Sequence, residues 1–482
     1  MKKVYVLSLI ILILLMVQCE RKTEPASPNS PPNTTMANIP VEDDTLFALI
    51  QVHWDGEDYD GFISGYQYRY ITQHIFMGDS VVQDWVTTTE TSVIIPFESS
   101  DLLNHQRFQV RAIDDKGLAD PTPAEKRFYT LQTVFPVTEI LIPQNEQQFF
   151  VIDQTTDWWE GVPLTYHAYD ADGEVVEYAW KVDDGDWNWT TDTTLYIDPS
   201  FFQPLDGLHQ IYAISRDNTN LVDPVGDTIT VNLIQPDFNK DILIIDETNE
   251  ALFTGPLTQF GDSDVDDFYN LIFSPDSVWD FYADGMPPKS VLGHYKLVIW
   301  HADNPYSNPT NVHQLPANIE DIKDYLHVGG DFIMGGWRIL KSFAQAESFP
   351  KTFEEGTFIH DYLHIRTADE TIFIPTDFVG VNPYPNVTDT LHVDEVKLME
   401  FPYFGKLGQI NIITERAGFT DVMYVYANLI SSTFFQWRGQ PVGLRYYGTS
   451  FNTIVLGFPM FFIRESDAQI MADQMLQSLG YR

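Results

Sequence analysis

The pattern of apolar and polar positions changes once along the chain, near residue 236. Before that point, short alternating runs such as FALIQVHW at 47–54 and RFQVRAID at 107–114 lie between turns rich in Asp and Gly. Alternation with a period of two predicts strands that bury one face. After it, continuous apolar runs such as DILIID at 241–246 and KLVIW at 296–300 predict strands covered on both faces. The pattern therefore predicts all-β units first and an α/β unit after them.

A weak internal repeat divides the all-β part into two units. DYDGFISGYQY at 58–68 aligns with DADGEVVEYAW at 170–180, and VRAIDDKGLADP aligns with IYAISRDNTNLVDP at nearly the same offset. Because the offset is the length of one β-sandwich, we predict sandwiches over residues 41–135 and 136–236. These units resemble tandem fibronectin type III or related immunoglobulin-like domains, and the resemblance implies a role as spacers or adhesive surfaces.

The remaining residues, 237–482, alternate predicted strands with predicted helices. DSDVDDFYNLIF at 262–273 has the acidic start of a helix, and NIEDIKDYLHVGG at 318–330 has the apolar spacing of one. The order strand, helix, strand, helix, strand predicts a doubly wound α/β domain with a parallel sheet. Ligands of such domains bind at the carboxyl ends of the strands, so the candidate site residues are sought there.

Two of these strand-end residues are candidates for catalysis. His301 has the chemistry of a general base, and Asp303 could orient it. The simpler interpretation is that His301 binds loop carbonyls while Asp303 begins a turn. The candidates for ligand binding are Asp246, Gly335, Gly336, Trp337 and Arg338.

The candidate metal ligands lie at the start of the helix predicted at 262–273. Asp262, Asp264 and Asp266 alternate as calcium ligands do, but the run lacks the glycine and the final glutamate of a calcium loop. We favour helix capping, since acidic side chains at a helix start bind free N–H groups and suit the positive end of the dipole. We therefore expect no metal and no other cofactor.

The α/β part resembles a known family. YKLVIWHADN at 295–304, IEDIKDYLHVGGDFIMGGW at 319–337 and NTIVLGFPMFFI at 452–463 are similar to class I glutamine amidotransferase-like domains of secreted bacterial proteins. Catalytic members of that superfamily carry a cysteine on the turn after the glycine-rich strand, whereas the turn here reads MGGWRIL. Because Cys19 is the only cysteine in the chain, thiolate chemistry in this domain is excluded.

Local motifs of other enzyme classes are also missing from the sequence. It contains no G-x-S-x-G, H-E-x-x-H, P-loop or G-x-G-x-x-G motif, so hydrolase-elbow, zinc-protease and nucleotide-binding readings have no support. We expect a non-catalytic protein in which the sandwiches present the α/β domain for binding or assembly. The alternative is an extracellular hydrolase that acts on peptide or polysaccharide through His301 and Asp303.

The N-terminus has the layout of a bacterial secretion signal. Two lysines precede an apolar stretch at 4–17 that is short for a membrane span. Cys19 follows directly and resembles the cysteine of a lipoprotein signal, although Gln18 stands where a small residue is usual. The resemblance implies a signal peptide at 1–19 and lipidation of Cys19. Residues 20–40, rich in Pro, Ser and Asn, are expected to form a flexible tether.

Charge limits the partners of this protein. The chain has 69 acidic and 27 basic residues and a formal net charge of −42. Such a surface repels phosphate backbones, which excludes nucleic acid as a partner. The expected partners are a membrane, through the lipid anchor, and a cell-envelope protein or polysaccharide. The expected location is the bacterial cell envelope, at the outer membrane or cell surface.

Overall fold

The computed structural model describes most of the chain beyond the predicted signal. Its described residues are 28–37, 41, 43–46, 49–97, 99–171, 173–249, 260–304, 313–344, 347–372, 377–386, 389–400, 407–429 and 435–482. The signal predicted at 1–19, with Cys19 and Gln18, and residues 20–27 of the predicted tether lie outside them. Within the described ranges, no helix has the length and apolar character needed to cross a membrane.

The first unit is a β-sandwich. Its strands are β1 Asn33–Met36, β2 Thr45–Leu46, β3 Leu49–Glu57, β4 Ile63–His74, β5 Ser80–Thr88, β6 Ser92–Pro96, β7 Ser99–Asp114 and β8 Ala124–Thr133. One sheet has the order β1-β3-β6, and the facing sheet has the order β2-β8-β7-β4-β5. β2 pairs in parallel with β8, and the other described pairs are antiparallel. Trp54, Tyr66 and Phe108 are buried between the sheets.

Strand β1 corrects the tether predicted at 20–40. It pairs antiparallel with β3, at the edge of the first sheet. Thr34 is buried there, where its N–H donates to the Asp120 carboxylate at 2.8 Å and its hydroxyl accepts from the Ala112 N–H at 2.8 Å. Composition missed this strand because an edge strand can be held by backbone pairing and polar contacts without large apolar side chains.

The second unit repeats the topology of the first. Its strands are β9 Val137–Ile142, β10 Gln147–Phe150, β11 Val162–Tyr169, β12 Val175–Val182, β13 Asn188–Thr190, β14 Thr194–Ile197, β15 Gly207–Asp217 and β16 Asp227–Ile234. The sheets have the orders β14-β11-β9 and β10-β16-β15-β12-β13. β10 pairs in parallel with β16, as β2 does with β8. Both units are therefore β-sandwiches with one strand order.

Matching turns in the two sandwiches agree with the internal repeat in the sequence. The carboxylate of the residue that ends β7 or β15, Asp114 or Asp217, accepts hydrogen bonds from the N–H groups two and four residues later. A second aspartate six residues on, Asp120 or Asp223, accepts from a backbone N–H of β1 or β9. These aspartates therefore join the two sheets of each sandwich.

The third unit is built around a larger mixed sheet. Its strands are β17 Lys240–Asp246, β18 Ser277–Asp280, β19 Tyr295–Ala302, β20 Asp331–Gly336, β21 Lys351–Thr352, β22 Ile365–Glu370, β23 Phe378–Pro383, β24 Leu391–His392, β25 Asn411–Glu415, β26 Thr420–Asn428, β27 Pro441–Tyr447 and β28 Asn452–Leu456. Its helices are α1 Asp262–Phe273, α2 Phe281–Asp284, α3 Lys289–Leu292, α4 Ile319–His327, α5 Ile339–Ala344, α6 Phe358–Asp361, α7 Glu395–Glu400 and α8 Glu465–Leu479. The main sheet has the order β18-β17-β19-β20-β28-β27-β26-β23-β24, and a smaller sheet has the order β21-β22-β25.

One side of the main sheet differs from the parallel sheet that the sequence predicts. Parallel pairing runs from β18 through β17, β19 and β20 to β28. Beyond β28, the pairs between β27, β26, β23 and β24 are antiparallel. The connections explain the difference: residues 448–451 alone join β27 to β28, whereas a parallel pair needs a crossover of about a dozen residues or more.

Alternate residues of the parallel strands belong to different cores. Ile242 and Ile244 of β17 pack in one core with α1 and α8, and Leu243 and Ile245 pack in the other with α3, α4 and α5. From Leu297 to Ala302, β19 follows the same rule, since successive side chains of a strand point to opposite faces. The face that each polar strand-end residue occupies is therefore set by its place in this alternation.

The second sandwich packs against the third unit. Phe150, at the end of β10, is 2 % exposed and joins the third unit's core beside Leu292 of α3. The side-chain oxygen of Gln148 accepts a hydrogen bond from the Ser290 N–H at 3.0 Å. This contact combines an apolar anchor with a backbone hydrogen bond, so it fixes the orientation of the sandwich on the larger domain.

We predict that Phe150→Ala destabilises the third unit by about 3 kcal/mol, because it leaves a cavity beside Leu292. Urea unfolding followed by circular dichroism measures the change. The matched control is Phe201→Ala in the same sandwich, where the ring is 45 % exposed and the loss should stay below about 1 kcal/mol. Equal losses in the two variants would show that Phe150 has no anchoring role.

Candidate functional site

The alternation along β17 and β19 places three strand-end residues on the face that α1 covers. Asp246 is paired with His301 across the two strands, and both side chains lie on that face with Asp303. All three are buried, at 1 %, 1 % and 0 % exposure. The strand register therefore brings these three strand-end residues together on one face of the sheet.

Helix α1 adds two carboxylates to this face. Asp262 and Asp266 are four residues apart, so they lie on one side of the helix. One carboxylate oxygen from each lies within 4.8 Å of the other and of an oxygen of Asp246. We define Asp246, Asp262, Asp266 and His301 as the strand-end cluster.

Asp264 does not belong to the cluster, which corrects the alternating ligand set predicted from the sequence. Its carboxylate accepts a hydrogen bond from the Gly261 N–H at 2.7 Å, so it caps the start of α1. Residues two apart on a helix point to different sides, whereas residues four apart share one. The capping interpretation therefore holds for Asp264, whereas Asp262 and Asp266 face Asp246.

Thr248 lies between two carboxylates of the cluster. Its N–H donates to Asp246 Oδ1 at 2.8 Å, and its hydroxyl oxygen lies 2.5 Å from the same atom and in close contact with Asp262 Oδ1. A hydroxyl carries one proton and can donate to one carboxylate at a time. The Thr248 hydroxyl therefore donates its proton to Asp246 or to Asp262, and its contact with the other carboxylate lacks a proton.

His301 is held by stacking and not by hydrogen bonds. Its ring stacks on Tyr269 of α1 with a centroid separation of 3.8 Å and an angle of 8°. Nε2 lies 3.4 Å from Asp246 Oδ1, and neither ring nitrogen forms a hydrogen bond. The expectation that His301 binds loop carbonyls is therefore wrong for the described residues. Burial lowers the pKa of His301 despite the nearby carboxylates, so the ring is neutral at pH 7.

Asp303 does not orient His301 as predicted. Asp303 Oδ2 accepts hydrogen bonds from the Tyr269 hydroxyl at 2.8 Å and the Phe461 N–H at 2.9 Å, while Oδ1 is buried without a partner. Burial raises the pKa of Asp303. The side chain therefore anchors α1 and residue 461 to the strand end, and it forms no hydrogen bond with the imidazole.

A second polar group occupies the opposite face of β17. Glu247 accepts hydrogen bonds from the Trp300 indole N–H at 2.7 Å and from the Gln314 N–H, and it lies 3.5 Å from His313 Nδ1. Burial opposes the charged form of His313, but Glu247, the Trp337 carbonyl and Asp303 together raise its pKa. The contacts of Glu247 with His313 and Gln314 therefore hold these two residues against the strand end.

The side chains of Trp337 and Arg338 bind partners outside the strand-end cluster. The Trp337 ring is fully buried against Phe462 and donates its indole N–H to the Gly408 carbonyl at 3.1 Å. Arg338 binds both carboxylate oxygens of Glu370, at 2.7 and 3.0 Å. Gly335 and Gly336 complete buried strand β20. The glycine-rich turn is thus packed with side chains.

Carboxylate crowding dominates the electrostatics of the strand-end cluster. Burial raises the pKa of Asp246 to about 6, with a further contribution from Asp262. Burial and the neighbouring Asp246 and Asp262 charges raise the pKa of Asp266 to about 7. No lysine or arginine in the described part of the chain forms an ion pair with these three carboxylates. The cluster therefore has an excess of negative charge.

Sequence reasoning missed Thr248, Tyr269 and His313 as members of these polar groups. Tyr269 could have been found, since it lies three residues after Asp266 and so shares its side of the predicted helix. His313 had no local signal, because its partner Glu247 is distant in the chain and is brought near only by the sheet.

No protein-family model and no curated protein sequence matches the chain. Solved structures that match include fibronectin(III)-like modules of Clostridium thermocellum CbhA, at 16% identity over 42% of this chain and 95% of that chain with a TM-score of 0.22. Chicken CNTN1 FN1–FN3 domains match at 14% identity over 44% and 70% with a TM-score of 0.23. These neighbours are fibronectin-III-like β-sandwiches, but the scores are low, so the sandwich assignment rests on the strand pairing above.

We predict that Asp266→Asn stabilises the protein in buffer that contains EDTA. Above pH 7, where Asp266 is ionised despite its raised pKa of about 7, the amide removes one charge from the crowded carboxylates, a gain on the order of 1 kcal/mol. The melting temperature should rise by about 2–4 °C. Differential scanning calorimetry measures it.

The matched control for this prediction is Asp264→Asn on the same helix turn. Its carboxylate caps Gly261 instead of facing Asp246, so its replacement should give no gain. A melting temperature for Asp266→Asn at or below that of the unchanged protein would contradict the excess of negative charge.

Proposed function

We propose that this protein is a lipid-anchored component of the bacterial cell envelope that acts by binding and not by catalysis. In this proposal Cys19 carries the lipid, and the two β-sandwiches hold the third unit away from the membrane. The third unit is a doubly wound α/β domain of the glutamine amidotransferase-like kind, and it binds a cell-envelope protein or polysaccharide.

The observation that carries the non-catalytic part is the packing of Trp337. By the sequence resemblance, the turn at residues 335–338 is where catalytic relatives hold their cysteine. Here the Trp337 ring packs on Phe462 and its indole N–H is used by Gly408, so a substrate would have to displace a buried side chain. Arg338 is already paired with Glu370, which leaves no free cation at the turn for an anion.

The arrangement of the sandwiches supports the spacer role. Aspartates tie the two sheets of each sandwich together through matching backbone hydrogen bonds. Phe150 then anchors the second sandwich in the core of the third unit. A stiff connection of this kind suits a protein that presents one domain at a set distance from its anchor.

For the anchor, we predict that cells expressing the protein incorporate an alkyne-labelled palmitate into it and that Cys19→Ser abolishes the label. The reason is that no other cysteine is available for a thioether bond. Gel fluorescence after click labelling measures the modification, and membrane fractionation reports attachment. The control is Ser27→Ala in the predicted tether, which should keep both the label and the membrane attachment. Label retained in Cys19→Ser would overturn the anchor.

For the non-catalytic role, we predict that the full-length protein hydrolyses neither peptide nor polysaccharide panels above the blank rate, with or without added Mn²⁺. His301→Ala and His364→Ala form a matched pair, because both rings are buried and neither forms a hydrogen bond. Hydrolysis that disappears in His301→Ala and persists in His364→Ala, with unchanged circular dichroism, would favour the hydrolase alternative.

A further inference from the structure

We infer that the strand-end cluster of Asp246, Asp262, Asp266 and His301 is a binding site for one divalent transition-metal cation. The three carboxylates each direct an oxygen to a common point, since these oxygens lie within 4.8 Å of one another. His301 Nε2 is 3.4 Å from Asp246 Oδ1, so the imidazole borders these carboxylates. The four side chains come from two strands and one helix, which fixes their positions.

The histidine supplies an observation independent of the acidic residues. It is fully buried, and neither of its nitrogens has a hydrogen-bond partner. A buried polar group without a partner costs free energy, and native proteins rarely leave one unsatisfied. Asp266 Oδ1 is also buried without a partner. A cation in the cluster would bind His301 Nε2 and Asp266 Oδ1 at once.

The alternative to a cation is a set of shared protons. A proton between Asp246 and Asp266 would reduce their repulsion, and a proton on Asp246 or Asp262 would allow the close contact of Thr248 with both of these carboxylates. That arrangement leaves the neutral His301 ring with Nε2 still unpaired. The metal accounts for the carboxylate crowding and for the imidazole together, so it is the better explanation of the geometry.

The donor atoms indicate the kind of metal. Three carboxylate oxygens with one imidazole nitrogen suit Mn²⁺, Fe²⁺ or Zn²⁺, whereas calcium prefers oxygen ligands alone. The Tyr269 ring, stacked on His301, holds the imidazole plane in place of a hydrogen bond to Nδ1. The site therefore differs from the calcium loop considered for Asp262, Asp264 and Asp266, in both its ligands and its metal.

The test begins with the full-length protein, stripped with EDTA and titrated with MnCl₂ while the signal of free Mn²⁺ is followed by electron paramagnetic resonance. We expect saturation at one equivalent. Replacing a residue that only hydrogen-bonds to a metal ligand typically weakens metal binding by about 10- to 100-fold. Asp246→Asn and Asp266→Asn replace proposed ligands, so each should weaken Mn²⁺ binding by at least this much. Asp264→Asn, on the same helix but facing away, should bind as the unchanged protein does.

A spectroscopic signal tests the histidine separately. Spin-echo modulation of the bound Mn²⁺ should contain a nitrogen coupling that His301→Ala removes and His364→Ala retains. Absence of saturable Mn²⁺ or Zn²⁺ binding by the unchanged protein would overturn the site without depending on how any variant folds. Binding that survives in both Asp246→Asn and Asp266→Asn, or a preference for Ca²⁺ without nitrogen coupling, would overturn it as well.

Discussion

The alternation of side chains along β17 and β19 is the constraint on which the third unit depends. The two strands are parallel and in register, with Asp246 opposite His301. Because successive residues point to opposite faces, these two side chains meet under α1, whereas Glu247 emerges on the other face. A shift of one residue would exchange the two cores and send each polar group into the wrong one. The hydrophobic packing of the strands therefore also positions the polar chemistry.

The two faces handle their buried charges differently. The Glu247 carboxylate has three polar partners, which are the Trp300 indole N–H, the Gln314 N–H and His313. A buried charge with such partners has a structural explanation. The carboxylates of the strand-end cluster lack a positively charged partner. The imidazole that faces Asp246 does not supply the charge, because burial lowers its pKa. The contrast within one strand end shows that this fold can supply partners for a buried carboxylate, which makes their shortage in the cluster informative.

Local patterns predicted part of this arrangement and could not predict the rest. The apolar runs of β17 and β19 identify strands, and a strand end identifies Asp246 and His301 as candidates. The calcium-like grouping of Asp264 with Asp262 and Asp266 rests on a two-residue spacing typical of a loop, whereas the helix also predicted there gives Asp264 the capping role. The antiparallel strands beyond β28 were missed because pairing direction depends on connections. Contacts such as Trp337 with Phe462 join segments far apart in the chain, so no local pattern contains them.

The short segment at residues 460–462 connects the glycine-rich turn at residues 335–338 with the strand-end cluster. The Phe461 N–H donates to Asp303, whose other contact is the Tyr269 hydroxyl beneath His301, while the adjacent Phe462 ring packs on Trp337. Opening the turn would therefore move the residues that hold Asp303 and Tyr269. The packing of Trp337 on Phe462 therefore helps to hold the strand ends in place. A binding site built from buried carboxylates and an imidazole requires such rigid strand ends.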